Sequence, residues 1–188
     1  MRFFDLFLAV LGLVLLAPLF IGAVLVSLIF QPGSPLYLQH RVGRDERLFT
    51  LIKFRTMRPG TQSVGTHEVN SGQVTAWGSF LRRLKIDELP QLWNVLKGEM
   101  SLVGPRPCLP NQGELITARS KLDVFRARPG ITGLAQIQGI DMSTPELLAK
   151  TDAEMIRTMS VGNYFRYILL TVMGRGTGDR VMPAGGPR

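Results

Sequence analysis

From Leu6 to Phe30 the chain carries no charged residue. A helix in a soluble core shows a polar face, and none can be drawn on LFLAVLGLVLLAPLFIGAVLVSLIF. At ~1.5 Å rise per residue the stretch reaches ~37 Å, against a hydrocarbon core ~30 Å thick. It is too long for the apolar region of a signal peptide, and no clear small-residue cleavage site follows it. The segment therefore reads as membrane-inserted.

Pro18 stands in its middle. Proline lacks the backbone donor and its ring collides with the preceding turn, so the helix should kink or break there. Two geometries stay open: a kinked transmembrane span, and a helix-break-helix that enters and leaves by one leaflet. Arg41, Arg44, Arg47, Lys53, Arg55 and Arg58 follow the segment and belong on the cytoplasmic side by the positive-inside rule. Arg2, ahead of it, joins them if the chain turns back.

Among 188 residues, Lys plus Arg number 22 and Asp plus Glu 14, a net charge of +8. Such a surplus selects anionic partners: phosphorylated small molecules, acidic headgroups or nucleic acid. Nucleic acid is disfavoured because few aromatic residues interleave with the basic ones. Cys108 is the single cysteine, so no disulfide forms within the chain, which suits a reducing compartment. With His40 and His67 far apart, the chain does not read as a structural zinc protein; a hard cation on carboxylates and phosphates fits better.

Past Gln31-Pro-Gly-Ser-Pro35, alternation predicts strands over Leu36–Val42 and Leu48–Met57 joined by Gly43–Glu46, a short β-hairpin. In the second, Phe49, Leu51, Lys53, Arg55 and Met57 share a face, either a solvated basic face or a phosphate-binding one. Pro59 to Thr75 is polar and rich in Gly, Ser and Thr, and reads as a loop or lid. A helix is expected from about Thr75 to Lys85.

Next comes KIDELPQLWNV. Leu89, Leu92, Trp93 and Leu96 keep helical spacing and Gly98 is a stop signal. With Asp87 as N-cap, Pro90 falls in the first turn, where its missing N–H costs nothing. The alternative for the adjacent Asp87-Glu88 pair is chemical: two carboxylates beside arginines can hold Mg²⁺ against a phosphate. Arg106 lies between Pro105 and Pro107, which stiffen it for bidentate phosphate recognition. The stretch Arg126 to Gln136, with Arg128, Pro129-Gly130 and Gly133, is expected to form a tight loop whose amides face an anion. Pro145–Met159 reads as a charged helix carrying Asp152. Tyr164–Met173 is too short to span; it is either core or an interfacial helix with Tyr164 and Tyr167 at headgroup depth. The chain thus divides into a membrane segment (1–31), a domain outside the membrane (32–175) and a Gly/Pro-rich tail (176–188) expected to be disordered.

The run LRRLKIDELPQLWNVLKGEMSLVGPRP, with FTLIKFRTM before it and RPGITGLAQ after it, resembles the bacterial sugar transferases, the small monotopic phosphoglycosyl transferases. The resemblance covers the chain from the apolar segment to about Met173. It implies an α+β fold: a helix-rich catalytic domain with a β-hairpin, amphipathic interfacial helices and an N-terminal re-entrant helix broken at a proline, here Pro18. It implies transfer of phospho-sugar from a UDP-sugar to polyprenyl (undecaprenyl) phosphate with release of UMP, the first membrane step of surface glycan assembly. In the family the Asp of the pair is the nucleophile, matched by Asp87, and the neighbouring Glu, matched by Glu88, serves the Mg²⁺ site. Lys53, Arg82, Arg106 and Asp152 match active-site positions. Arg55, Arg128 and Gln136 complete the expected substrate set, and Pro90 sets the turn. The resemblance also places the protein on the cytoplasmic face of the bacterial inner membrane; a homodimer is an open expectation. Two positions depart from the pattern: Ala17, where relatives often have Ser, and Ile140, where many carry Arg. The rival readings are a non-catalytic basic membrane adaptor, a membrane-tethered nucleic-acid binder and an Asp-nucleophile phosphohydrolase.

Overall fold

The computed structural model describes residues 1–61 and 71–176. The tail from 177 onward, and most of the stretch read as a lid, lie outside the described residues. Two apolar helices open the chain, α1 (Arg2–Leu15) and α2 (Ala17–Phe30), bent by 61° across Leu16. The break falls where Pro18 requires it, with the proline in the first turn of α2 and no side-chain cap at the junction. Among the described residues no single helix is long and apolar enough to cross a membrane; the bent pair is, by length and composition.

Both ends of the pair dock on the same body. The Arg2 guanidinium donates to the carbonyls of Leu96 (3.2 Å) and Met100 (3.4 Å). At the far end Gln31 donates to the Met57 carbonyl (2.9 Å) and accepts from the Thr75 hydroxyl (2.6 Å). Between them the Trp77 indole donates to Ser27 (2.8 Å). The outward faces stay apolar and bare, with Phe3, Phe7, Val14, Ile21, Leu25, Leu28 and Ile29 all exposed. An apolar surface of that kind marks an interaction site rather than a soluble exterior.

Asp5 is the one acidic residue of α1 and it is buried. It accepts from the Ser101 hydroxyl (2.8 Å), the Leu102 N–H (2.9 Å) and the Tyr164 hydroxyl (2.9 Å). Burial and the Asp5 carboxylate hold the Tyr164 hydroxyl well above the usual phenol range, so it remains the donor. Asp5→Ala orphans all of these donors and is expected to destabilise the fold by about 2–3 kcal/mol. Denaturation in detergent checks it; a midpoint equal to wild type would refute the latch.

The body is α+β. β1 (Leu36–Val42) and β2 (Leu48–Phe54) form an antiparallel hairpin, Leu36 opposite Phe54 and Val42 opposite Leu48. β2 ends at Phe54, so Arg55 and Met57 lie beyond the strand and not on its face as alternation suggested. Its free edge meets a side chain: Asn94 donates to the Thr50 carbonyl (2.7 Å) and accepts from the Ile52 N–H (3.1 Å). Helix α3 (Ala76–Arg83) is capped by Thr75 and ends two residues short of the sequence expectation. Helix α4 (Gln91–Lys97) closes at Gly98, whose φ of 85° needs glycine. β3 (Ser101–Val103) and β4 (Gly130–Thr132) pair in parallel. This corrects the expected anion loop. The Gly130 N–H is bonded to the Pro105 carbonyl (2.9 Å), and a Cβ on Gly130 would stand 2.0 Å from the Gly104 nitrogen, so the glycines serve backbone packing.

Helices α5 (Gly113–Lys121), α6 (Leu134–Gln138), α7 (Pro145–Arg157) and α8 (Val161–Val172) complete the body. Tyr164 and Tyr167 are buried with Val103 and Met155, which rules out their placement at headgroup depth. The exposed apolar face of α8 consists instead of Phe165, Leu169 and Val172. Phe165 meets Phe4 of α1 edge to face at 5.2 Å, so this face continues that of the N-terminal pair.

Candidate active site

The acid pair does not cap a helix. Lys85 turns the chain in the left-handed region (φ 57°), Ile86–Glu88 form a single 3-10 turn, and α4 starts only at Gln91 with Pro90 in the cap position. The reason is local. Pro90 has no N–H to give the Ile86 carbonyl, which accepts from Leu89 N instead (3.1 Å). Asp87 is thus presented on a tight turn wedged between β2 and α3 rather than at a helix mouth.

Basic residues reach this turn from separate elements. Lys53 of β2 is only 8 % exposed, which excludes the solvated-face reading; its Nζ lies 5.7 Å from the Tyr37 ring centroid. Arg82 of α3 donates through Nε to the Thr56 hydroxyl (2.9 Å), while its Nη1 is buried with no hydrogen-bond partner among the described residues. α3 comes this close because Gly78 lacks a side chain; a Cβ there would stand 2.0 Å from the Thr56 carbonyl oxygen. Arg106 donates to Glu88 (3.1 Å). Lys85, which the sequence reading passed over, joins them. Its ammonium is pushed below the usual lysine range by burial, with Glu88 pulling it up and Arg106 pressing it down. Asp87 itself is 4 % exposed.

Other expected site residues have partners of their own. Arg55 donates to the Ser34 carbonyl (2.8 Å) and stacks over Tyr37 (5.6 Å). Arg128 is spent on the Gly98 carbonyl (2.9 Å) and Gln136 on the Ile131 carbonyl (2.9 Å). Asp152 is buried behind the site and takes both Nε and Nη2 of Arg119 (3.0 and 2.7 Å). Arg119 then donates through Nη1 to the Arg106 carbonyl (2.8 Å). A continuous line runs from Asp152 through Arg119 and Arg106 to Glu88. Arg119 carried no signal in the sequence; only its position on α5 facing α7 reveals it. Ile140 packs with the apolar cluster of Cys108, Leu115 and Phe125, not toward the carboxylates.

Among the described residues no cluster of three or more His, Cys, Asp or Glu could hold a metal alone. Acidic oxygens are the donor chemistry that a hard cation such as Mg²⁺ takes, together with substrate phosphates and water.

The family model for bacterial sugar transferases matches residues 1–176. The chain belongs to the bacterial sugar transferase family. Its relatives within that family include the undecaprenyl-phosphate glucose phosphotransferase of Komagataeibacter xylinus, 41% identical over 187 residues, covering 91% of this chain and 35% of that protein. The UDP-glucose:undecaprenyl-phosphate glucose-1-phosphate transferase of Caulobacter vibrioides is 38% identical over 187 residues, covering 95% and 70%. The UDP-galactose-lipid carrier transferase of Erwinia amylovora is 37% identical over 194 residues, covering 91% and 39%. The chain thus spans between 35% and 70% of the length of these transferases.

Proposed function

We propose that the protein transfers phospho-sugar from a UDP-sugar to undecaprenyl phosphate and releases UMP, through a covalent intermediate on Asp87. The observation that carries this reading is the buried Asp87 on a tight turn packed against α3, the helix whose Arg82 has a buried Nη1 with no hydrogen-bond partner among the described residues. An orphaned guanidinium nitrogen is costly unless an anion completes it. A diphosphate does so.

The chemistry follows. An Asp87 carboxylate oxygen attacks the β-phosphorus; the bond from that phosphorus to the bridging oxygen breaks and UMP leaves. An oxygen of the lipid phosphate then attacks the same phosphorus, the bond to Asp87 breaks and the carboxylate is restored. A carboxylate approaching a diphosphate meets like charge, which Arg82, Arg106 and Lys53 offset. Glu88, with Asp87, would hold Mg²⁺, which supplies further charge neutralisation on the phosphates. The Arg106–Glu88 pair keeps both side chains oriented before substrate arrives.

The bent N-terminal pair is read as a re-entrant hairpin at the cytoplasmic face of the inner membrane. Its support is that Arg2 and Gln31, at opposite ends of the pair, bond the same body. A spanning helix would separate them.

The test is UMP release from a panel of UDP-sugars with Mg²⁺. One donor is expected to give a single-turnover burst without lipid and sustained release with undecaprenyl phosphate. Sustained release without lipid would replace the transferase with a phosphohydrolase, and release from no donor would leave the adaptor.

A further inference from the structure

Beside Glu88 opens a cleft of about 480 Å³, inside the ~300–1,000 Å³ range of ligand sites. Its composition is lopsided. Arg83, Lys85 and Glu88 are its charged lining, and Leu84, Leu92, Leu102, Ile168 and Val172 are among the apolar residues that line the rest. Two threonines also line it, but Thr132 and Thr171 share a hydrogen bond (2.5 Å) and so present little unsatisfied polarity.

The walls rest on the N-terminal pair. Leu92 lies against Gly12 of α1, its Cδ1 3.2 Å from where a Cβ would stand. Leu102 and Ile168 share an apolar cluster with Phe4 and Leu8 of α1. Val172 belongs to the bare apolar face of α8. The cleft therefore adjoins the apolar surfaces read as membrane-facing, and Glu88 of the acid pair lines it too. A ligand matching both kinds of lining carries a phosphate and a hydrocarbon chain.

We infer that this cleft seats the acceptor, with the lipid phosphate on Lys85 and the first isoprene units between α4 and α8. The inference rests on the transferase reading and deepens it. It gives Lys85 a part that no motif assigned to it. Its Nζ now donates to the Arg175 carbonyl (3.4 Å), a long contact that a phosphate displaces. Asp87 does not line the cleft, so the donor and the acceptor reach the turn from different sides.

The experiment measures the KM of undecaprenyl phosphate and of geranyl phosphate for wild type, Lys85→Met, Leu84→Trp and Val172→Trp. Leu84 and Val172 are 53% and 79% exposed, so both substitutions spare the core, and either one decides if the other fails to fold. Lys85→Met should raise both KM values alike, by about tenfold or more, because both acceptors bring the same phosphate. The tryptophans should raise the KM of the long chain about tenfold and that of the short chain much less. Equal shifts for both chains in the tryptophan variants, or none, overturn the inference. So does diacyl phosphatidate competing as well as undecaprenyl phosphate, which would make the cleft a general lipid seat. A wild-type protein that releases no UMP sinks the transferase reading and this inference with it. A wild-type protein that turns over while its cleft variants keep their acceptor KM sinks the inference alone.

Discussion

Asp87→Asn is expected to reduce UMP release by about 10³-fold or more, with and without lipid. The side chain keeps its shape, so the turn between Lys85 and Pro90 persists and the apparent melting temperature should stay near wild type. In the proposed mechanism what disappears is the anionic oxygen that forms the bond to phosphorus; an amide oxygen is a far weaker nucleophile. A loss of that size corresponds to about 4 kcal/mol of activation free energy. Kinetics alone would not separate a nucleophile from a metal ligand, so the decisive readout is mass. Wild type incubated with its donor should gain one phospho-sugar, removed by undecaprenyl phosphate, and Asp87→Asn should gain none. Glu88→Gln supplies the contrast. It loses the charge that pairs with Arg106 and, in the proposed mechanism, an oxygen for Mg²⁺, so its burst should slow while the adduct still forms. A full burst in Asp87→Asn would end the covalent mechanism.

Much of this organisation is legible in residue order. The uncharged run with one central proline specifies two helices and a break, because proline's missing N–H acts locally. The hairpin, Thr75 as a cap and Gly98 as a stop are equally local signals. Reading failed where Pro90 overrode helical spacing locally, and where long-range contacts decide. Helical spacing extended α4 back to Asp87, yet Pro90 disrupts that turn and isolates the acid pair. Pro129-Gly130 and Gly133 suggested an anion nest, but Gly104, far off in sequence, occupies the space beside Gly130. The alternation around Lys53 left a solvated face and a phosphate-binding face open, and only its burial on β2 decides against the first. Arg119 and Asn94 resemble surface polar residues in any window. Their partners on α7 and β2 become visible only once the helices pack.

The second large effect belongs to Arg119 and Asp152, each about 1% exposed. Burial pushes the Asp152 carboxyl up and Arg119 pulls it down, so each group tolerates its site only through the other. Arg119→Met strands a buried carboxylate and should cost about 3–5 kcal/mol, a large part of the ~5–15 kcal/mol that holds a domain together. The double variant Arg119→Met with Asp152→Leu removes both charges and should recover most of that loss, since apolar replacement of a buried pair is often neutral. Activity should not recover with it. Neither variant restores the donor on the Arg106 carbonyl, so the Pro105-Arg106-Pro107 segment is released and the guanidinium wanders from Glu88. Turnover in the double variant should therefore stay at least about tenfold low, consistent with the weight of outer hydrogen bonds on a charged site. Denaturation midpoints in detergent and burst rates, read on the same preparations, separate the two roles. If stability and turnover return together, the pair only holds the fold; if stability alone returns, the pair is the strut that aims Arg106.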